Sequence, residues 1–189
     1  DVVAIVVDLI KRLTGADPYV RLVGSCKGCV EVRTSRIGLI PIFDAMGLIR
    51  KNASGGMKRN VHVPCSIKRS PKDIVAAFLR GLFEADGFAQ RNGSGVKFFS
   101  KYEQFCREVQ LLLLCFGITS RLSAHDKKAG NGSIYTGWEL SLRTEEARAF
   151  VSNIGFLSQR KRSRIIRPED APHASKRKQL RFADTIVSI

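Results

Sequence analysis

The sequence predicts an α+β protein of mixed helices and twisted antiparallel β-sheet, built as two related halves of which the first is incomplete. Three observations carry this. Val30-Glu31-Val32-Arg33-Thr34-Ser35 parallels Glu139-Leu140-Ser141-Leu142-Arg143-Thr144, and Met46-Gly47-Leu48 parallels Ile154-Gly155-Phe156 at nearly the same offset. Apolar spacing in each half reads helix, two strands, helix. A further helix and hairpin precede that series in the second half alone.

The elements follow in order. Residues 2–13 have amphipathic helical spacing and stop at Gly15-Ala16-Asp17-Pro18. Residues 19–23 and 30–34 alternate apolar and polar side chains and read as two strands. Cys26 and Cys29 between them are spaced as half a zinc site, but no second pair exists, so a hairpin turn is expected. Residues 37–48 read as a helix bent at Pro41. Residues 50–59 are a Gly-rich basic loop. Val61-His62-Val63-Pro64 is extended, because a residue before proline avoids the helix. Residues 88–90 and 96–100 flank Arg91-Asn92-Gly93-Ser94, a hairpin signal. Residues 102–116 form a helix closed by Gly117, with its run of leucines at 111–114 deeply buried. Residues 118–124 and 135–142 are strands joined by a basic loop, 125–133. Residues 145–154 are a helix, 167–178 a charged connector, and 182–189 the start of a strand.

Composition limits the partners. The 189 residues hold one or two domains with a real core, 44% of them apolar. Lys and Arg number 32 against 17 acids, a net +15. A charge that large points to a polyanionic partner, most often nucleic acid; a merely solvated basic surface is the plainer alternative. Five cysteines, an odd number, suggest no disulfide framework and a reducing, cytoplasmic setting. No run approaches a membrane span. The chain does not begin with Met and is expected to be a piece of a longer product.

The most informative stretch is Ser70 to Gly87. Ser70 suits a helix N-cap, Pro71 the first helical position, and Asp73 the acid of a capping box. Ile74, Val75, Phe78, Leu79, Leu82 and Phe83 form one apolar face. Ala77, Gly81 and Ala85 form a second, small-residue stripe, useful where another helix backbone comes close. Gly87 stops the helix. Glu84 and Asp86 oppose the macrodipole there, which suits a site that holds a cation.

Leu79-Arg80-Gly81-Leu82-Phe83-Glu84-Ala85-Asp86-Gly87 resembles the LAGLIDADG motif of homing endonucleases. Phe78-Leu79-Arg80-Gly81 is similar to the form found in the DOD-type endonucleases embedded in inteins. The alternative is an ordinary amphipathic helix ending in Asp-Gly. The resemblance covers residues 1–166 and implies three parts: 1–63, a partial first repeat lacking its motif helix and first hairpin; 64–166, a complete second repeat; and 167–189, a connector towards a missing splicing domain. Arg181 to Ile189 is similar to the segment where an intein re-enters that domain. The residues of splicing chemistry are absent, so this chain is not expected to splice.

The resemblance also implies a chemistry: site-specific, Mg²⁺- or Mn²⁺-dependent hydrolysis of double-stranded DNA. Two motif helices would pack along their small faces and bring their acids together over the scissile phosphates. Asp86 matches the metal-binding acid, with Gly87 beside it, and Glu84 the earlier, structural acid. Lys161 matches the basic residue that stabilises phosphorane charge or polarises water; the plainer reading places it in the solvated run 160–164. In the first repeat the equivalent Lys is expected just before Val63-Pro64, where Val61 and His62 stand instead, with Lys58 and Arg59 a few residues early.

Strands would lie in the major groove. Candidate contacts are Gln90, Arg91, Asn92 and Lys97 on the first hairpin, and Arg121, Ser123 and His125 on the next strand. Tyr135, Gly137, Glu139 and Ser141 make the polar side of the last strand, with Trp138, Leu140 and Leu142 facing the core. The first half offers Arg21, Ser25, Glu31 and Arg33. His62, His125 and His173 are too scattered for a metal cluster. Expected partners are double-stranded DNA and the rest of an intein precursor. The longer product is expected to be a monomer, with dimerisation of this piece through Ala77, Gly81 and Ala85. A non-catalytic RNA maturase-like or regulatory protein, or a decayed intein, is the competing reading.

Overall fold

The computed structural model describes residues 2–24, 29–35, 38–46, 61–91, 93, 95–128, 130 and 132–165. The expectations on Ser25, Lys58, Arg59, Asn92, His173, the connector and the terminal strand lie outside the described residues.

Helix α1 (Val2–Thr14) carries Lys11 and Arg12 in its last turn, where cations suit the dipole. Gly15, at φ 68°, ends it. Strand β1 (Tyr19–Leu22) pairs antiparallel with β2 (Val30–Arg33), Tyr19 opposite Arg33. Helix α2 (Leu39–Ala45) contains Pro41 in its first turn, where no intrahelical N–H bond is due. Proline therefore fits there without costing the helix a hydrogen bond. The cysteine expectation is also corrected: Cys29 is disulfide-bonded, while Cys65, Cys106 and Cys115 are free. Strand pairing holds Cys29 in the hairpin, its carbonyl accepting from Val23 N at 2.9 Å.

The extended segment through Pro64 turns into a short helix, α3 (Cys65–Lys68), which the sequence pattern did not reveal. Helix α4 (Lys72–Ala85) follows with Pro71, not Ser70, at its N-cap. The Ser70 hydroxyl donates instead to Ser66 O at 2.8 Å. Then come β3 (Gly87–Ala89), β4 (Gly95–Ser100), α5 (Glu103–Leu114), β5 (Arg121–Lys128), β6 (Ile134–Arg143), α6 (Thr144–Asn153) and α7 (Gln159–Arg162). The four strands form one antiparallel sheet in the order β3-β4-β6-β5.

Two layers result. Helices α4, α5 and α6 cover one face of the sheet, and the other face is polar. Val75, Ala76, Leu79 and Phe83 of α4 meet Val96, Phe98, Leu140 and Leu142 of the sheet. Phe83 is fully buried, with ring centroids 5.3 Å from Phe98 and 4.6 Å from Phe150. Val63 is also buried in this core.

Three further expectations, two on burial and one on the extent of a strand, are corrected. Leu112 and Leu113 are buried, but Leu111 and Leu114 are exposed, because four consecutive helical positions sweep most of the way round the axis. Ile74 is exposed, as it lies on the rim of the apolar face. Strand β5 runs on through His125 to Lys128, where a loop was expected. Its hydrogen bonds to β6 hold those polar residues extended, down to the pair Lys128–Ile134.

Candidate functional site

The site is built around the end of α4. Asp86 is the C-cap, at φ −108° and ψ −1°, with its N–H bonded to Leu82 O at 3.0 Å. Its side chain is exposed. Gly87 follows because the chain doubles back onto Phe83: a Cβ there would stand 2.7 Å from Phe83 Cα.

Lys161 closes this turn from below. Its Nζ donates to Phe83 O at 3.0 Å, Glu84 O at 2.5 Å and Gly87 O at 2.8 Å. An ammonium has three N–H groups, so all are engaged, on both sides of Asp86. Lys161 is buried, which corrects the plainer reading of a wholly solvated basic run. Burial pushes its pKa down; the Glu84 and Asp86 carboxylates oppose this, but the net direction is downward.

Glu84 has a separate task. Its Oε2 accepts from Leu157 N at 2.9 Å and Ser158 N at 3.0 Å, while Oε1 lies 3.9 Å from Lys161 Nζ. The carboxylate thus anchors the loop that delivers Lys161, and the Ser158 hydroxyl caps α7. Glu84, Lys161 and the α4 carbonyls lock the turn, leaving Asp86 facing outwards.

An exposed carboxylate at a helix C-terminus is a suitable ligand for a hard divalent cation, which takes oxygen donors and retains waters. Asp86 fits as one such ligand; the Gly87 carbonyl already accepts from Lys161. Among the described residues no group of three or more His, Cys, Asp and Glu stands together.

The small stripe of α4 is open. Ala77, Gly81 and Ala85 are exposed, and a Cβ at Gly81 would meet nothing within 4 Å.

The second part of the site is the polar face of the sheet. The register lays out its rows. Phe88, Lys97, Ser141 and Arg121 lie side by side across β3, β4, β6 and β5. Phe99, Glu139 and Ser123 form the next row, then Gly137 with His125, then Tyr135 with Lys127. Gln90 continues the β3 side of this face, its N–H bonded to Gly95 O at 3.0 Å. Arg91 follows at the turn, exposed. The structure therefore gathers Gln90, Lys97, Arg121, Ser123 and His125 on one surface.

Two occupants of that face, Phe99 and Lys127, did not stand out as contacts in the sequence, whereas Glu139 was expected on the polar side of the last strand. Phe99 lies against Gly137, where a Cβ would meet its Cε2 at 2.5 Å, and Lys127 Nζ sits 5.4 Å from its ring centroid. Glu139 joins Lys97 at 2.8 Å and accepts from the Ser141 hydroxyl at 3.0 Å. Burial raises the Glu139 pKa, but those hydrogen bonds outweigh it and hold the carboxyl below its ordinary range.

In the first half, Glu31 takes Arg21 at 2.7 Å and Arg33 at 2.6 Å on the surface of the small sheet. His62 stands 3.1 Å from Glu108 Oε1, which also takes Lys68 at 2.9 Å, while Oε2 accepts from Val63 N at 2.6 Å. His62 thus belongs to a clamp that fastens the segment before α3 onto α5.

Comparisons with known proteins fit this arrangement. Residues 73–155 match the LAGLIDADG-like domain. The chain is 29% identical over 97 residues to the probable translation initiation factor IF-2 of Methanocaldococcus jannaschii, which is 51% of this chain and 8% of that protein. It is 30% identical over 127 residues to the replication factor C small subunit of the same organism, 67% of this chain and 6% of that one. The chain therefore spans less than a tenth of these relatives' length. Among solved structures, a variant of I-DmoI bound to its target DNA with magnesium superposes with a TM-score of 0.52 at 18% identity, covering 80% of this chain and 70% of that one. Another solved structure holds the homing endonuclease I-DmoI with DNA and manganese. At such identity the likeness establishes the fold alone.

Proposed function

We propose, from the premise that residues 73–155 form a LAGLIDADG-like domain, that this chain binds double-stranded DNA and supplies one half of a metal-dependent endonuclease site. The observation that carries the reading is the locked turn: Asp86 is held outwards at the end of α4, just before the polar sheet face begins at Phe88.

The residues divide the work. The sheet face, with Gln90, Arg91, Lys97, Arg121, Ser123 and His125, lies along the major groove and sets register. Asp86 ligates a divalent ion such as Mg²⁺ or Mn²⁺, as the metals in the I-DmoI structures suggest. Such an ion, when bound, lowers the pKa of water and stabilises a leaving phosphate oxygen. Lys161 is a positioning residue that orders the Asp86 turn through three carbonyls. A second carboxylate comes from a partner motif helix, seated on the open face of Ala77, Gly81 and Ala85.

The reading extends to context. The two relatives carry unrelated printed names, an initiation factor and a replication factor subunit, yet each shares a short stretch with this chain. A segment common to proteins of different work is readily explained as an inserted intein endonuclease. A non-catalytic DNA-binding protein is the second reading, favoured by the single exposed motif acid.

The test begins with duplexes selected from a randomised library. Nicking and cleavage of a selected duplex in Mg²⁺ are then compared for this chain and its Asp86→Asn variant. Cleavage that Asp86→Asn abolishes without loss of binding supports the endonuclease. Because the second carboxylate comes from a partner motif helix, the same assay is repeated with such a helix joined to the chain: binding with no cleavage by any form selects the second reading, and absence of any binding overturns the DNA assignment.

A further inference from the structure

Glu139 is out of place on a DNA-facing surface. The chain carries +15, yet a carboxylate stands on β6, an inner strand, with β4 and β5 on either side. It would repel phosphate. Its side chain keeps 20% of its surface accessible, and Lys97 keeps 34%, so both reach the outer face. Lys97 and Ser141 both donate to Oε1. No described residue donates to Oε2.

Resting on the DNA reading above, we propose that Lys97 and Glu139 act together as a reader of one G·C base pair in the major groove. The major-groove edges offer two donors only, the cytosine N4 and adenine N6 amino groups, so a carboxylate has few other uses there. The geometry matches a whole base pair. Lys97 Nζ stands 2.8 Å from Glu139 Oε1, which Ser141 also fills, so the ammonium and the remaining Oε2 are a donor and an acceptor side by side. Guanine O6 and cytosine N4 are an acceptor and a donor held about 2.9 Å apart by their own hydrogen bond. The two pairs are complementary head to tail.

An A·T pair also offers an adjacent donor and acceptor, but in the opposite order. It would place Glu139 against adenine, whose N7 acceptor repels the carboxylate, and Lys97 beside the thymine methyl group. With guanine beneath it, Lys97 has two N–H groups remaining after Glu139, which suit O6 and N7 together. The pair therefore selects G·C over A·T, with guanine under Lys97. Glu139 does double duty: it holds Lys97 in place and supplies the acceptor for cytosine.

The experiment selects duplexes from a randomised library with four proteins: wild type, Glu139→Gln, Lys97→Met, and the exchanged Lys97→Glu/Glu139→Lys. Expected for wild type is one position fixed as G·C, at which A·T weakens binding about 30-fold, near the middle of the range for a good base contact. The amide of Glu139→Gln both donates and accepts, so discrimination there falls to within about 3-fold. The exchanged variant keeps an ion pair, which guards against a simple loss of folding, and its preference turns to C·G. A merely structural pair would not move the preferred base. Enrichment with the same preference in all four proteins overturns this inference and leaves the DNA reading standing. No enrichment by any protein overturns both.

Discussion

The two halves share an element order but not a core. Residues 61–165 bury a continuous cluster of phenylalanines and aliphatic side chains between sheet and helices. Among the described residues of 2–46, Leu39 alone is buried. Helix α1 is as clearly amphipathic as α4, yet none of its residues is buried. Ile40, Ile42 and Met46 of the α2 region are also exposed. Amphipathic spacing states which face seeks cover, not whether cover exists. In the second half α4 provides it; in the first half no helix among the described residues stands in α4's place.

Core truncation gives the largest expected contrast. Phe83→Ala removes the ring shared by Phe98 and Phe150 and should destabilise the chain by about 3–5 kcal/mol. Ile42→Ala, on the exposed helix, should change stability by less than about 0.5 kcal/mol. Equal effects in urea unfolding would show that the first half has a core of its own and would break the comparison.

Next comes the turn. Lys161→Met keeps volume but leaves three carbonyls without their ammonium, and should destabilise by about 2–4 kcal/mol. Lys161→Arg should fail to rescue it, since a planar guanidinium cannot serve three converging acceptors as an ammonium does. Full rescue by arginine, read from the melting temperature, would reduce Lys161 to a mere positive charge.

The clamp that fastens the segment before α3 onto α5 responds to pH. Burial raises the Glu108 pKa, but Lys68, the Val63 N–H and His62 bring it below its ordinary 4.5 in the folded chain. The stability it adds is therefore complete above 4.5 and fades as pH falls through the lower, folded value. Glu108→Ala should cost about 1–3 kcal/mol at pH 7, where the Val63 N–H loses its partner. The gap between mutant and wild-type melting temperatures should narrow in acid. A constant gap would remove the charge from the explanation.

Gly81→Ala should act with the opposite sign. The open face accepts a Cβ, and alanine favours helix by about 0.5–1 kcal/mol. A stabilised chain with weakened cleavage would indicate that a second helix backbone approaches at Gly81; unchanged cleavage would place the partner elsewhere.

Legibility in the sequence followed periodicity. The α4 pattern apart from Ile74, the hairpin after it, and the alternation of Trp138, Leu140 and Leu142 with polar neighbours appear in the structure as the spacing implied. The four-residue helices α3 and α7 were invisible because a single turn has no period to read. The plainer reading of Lys161 as solvated rested on its exposed neighbours Arg160 and Arg162; its own burial depends on α4 carbonyls distant in sequence. The polar end of β5 looked like a loop because its order comes from β6, not from its own side chains. Glu139 read as an ordinary polar position because its partner Lys97 lies on another strand.

That polar end of β5 has a further consequence. β5 is the long edge of the sheet, and an edge strand presents unpaired backbone groups on which a second chain can stack. Arg121, His125, Lys127 and Lys128 line this one. Lysines on an edge make another such edge an unwelcome neighbour, so the same residues guard the chain against self-association into fibrils. Replacing Lys127 and Lys128 with threonine and valine would leave the fold intact and lower the concentration at which the protein stays clear in solution.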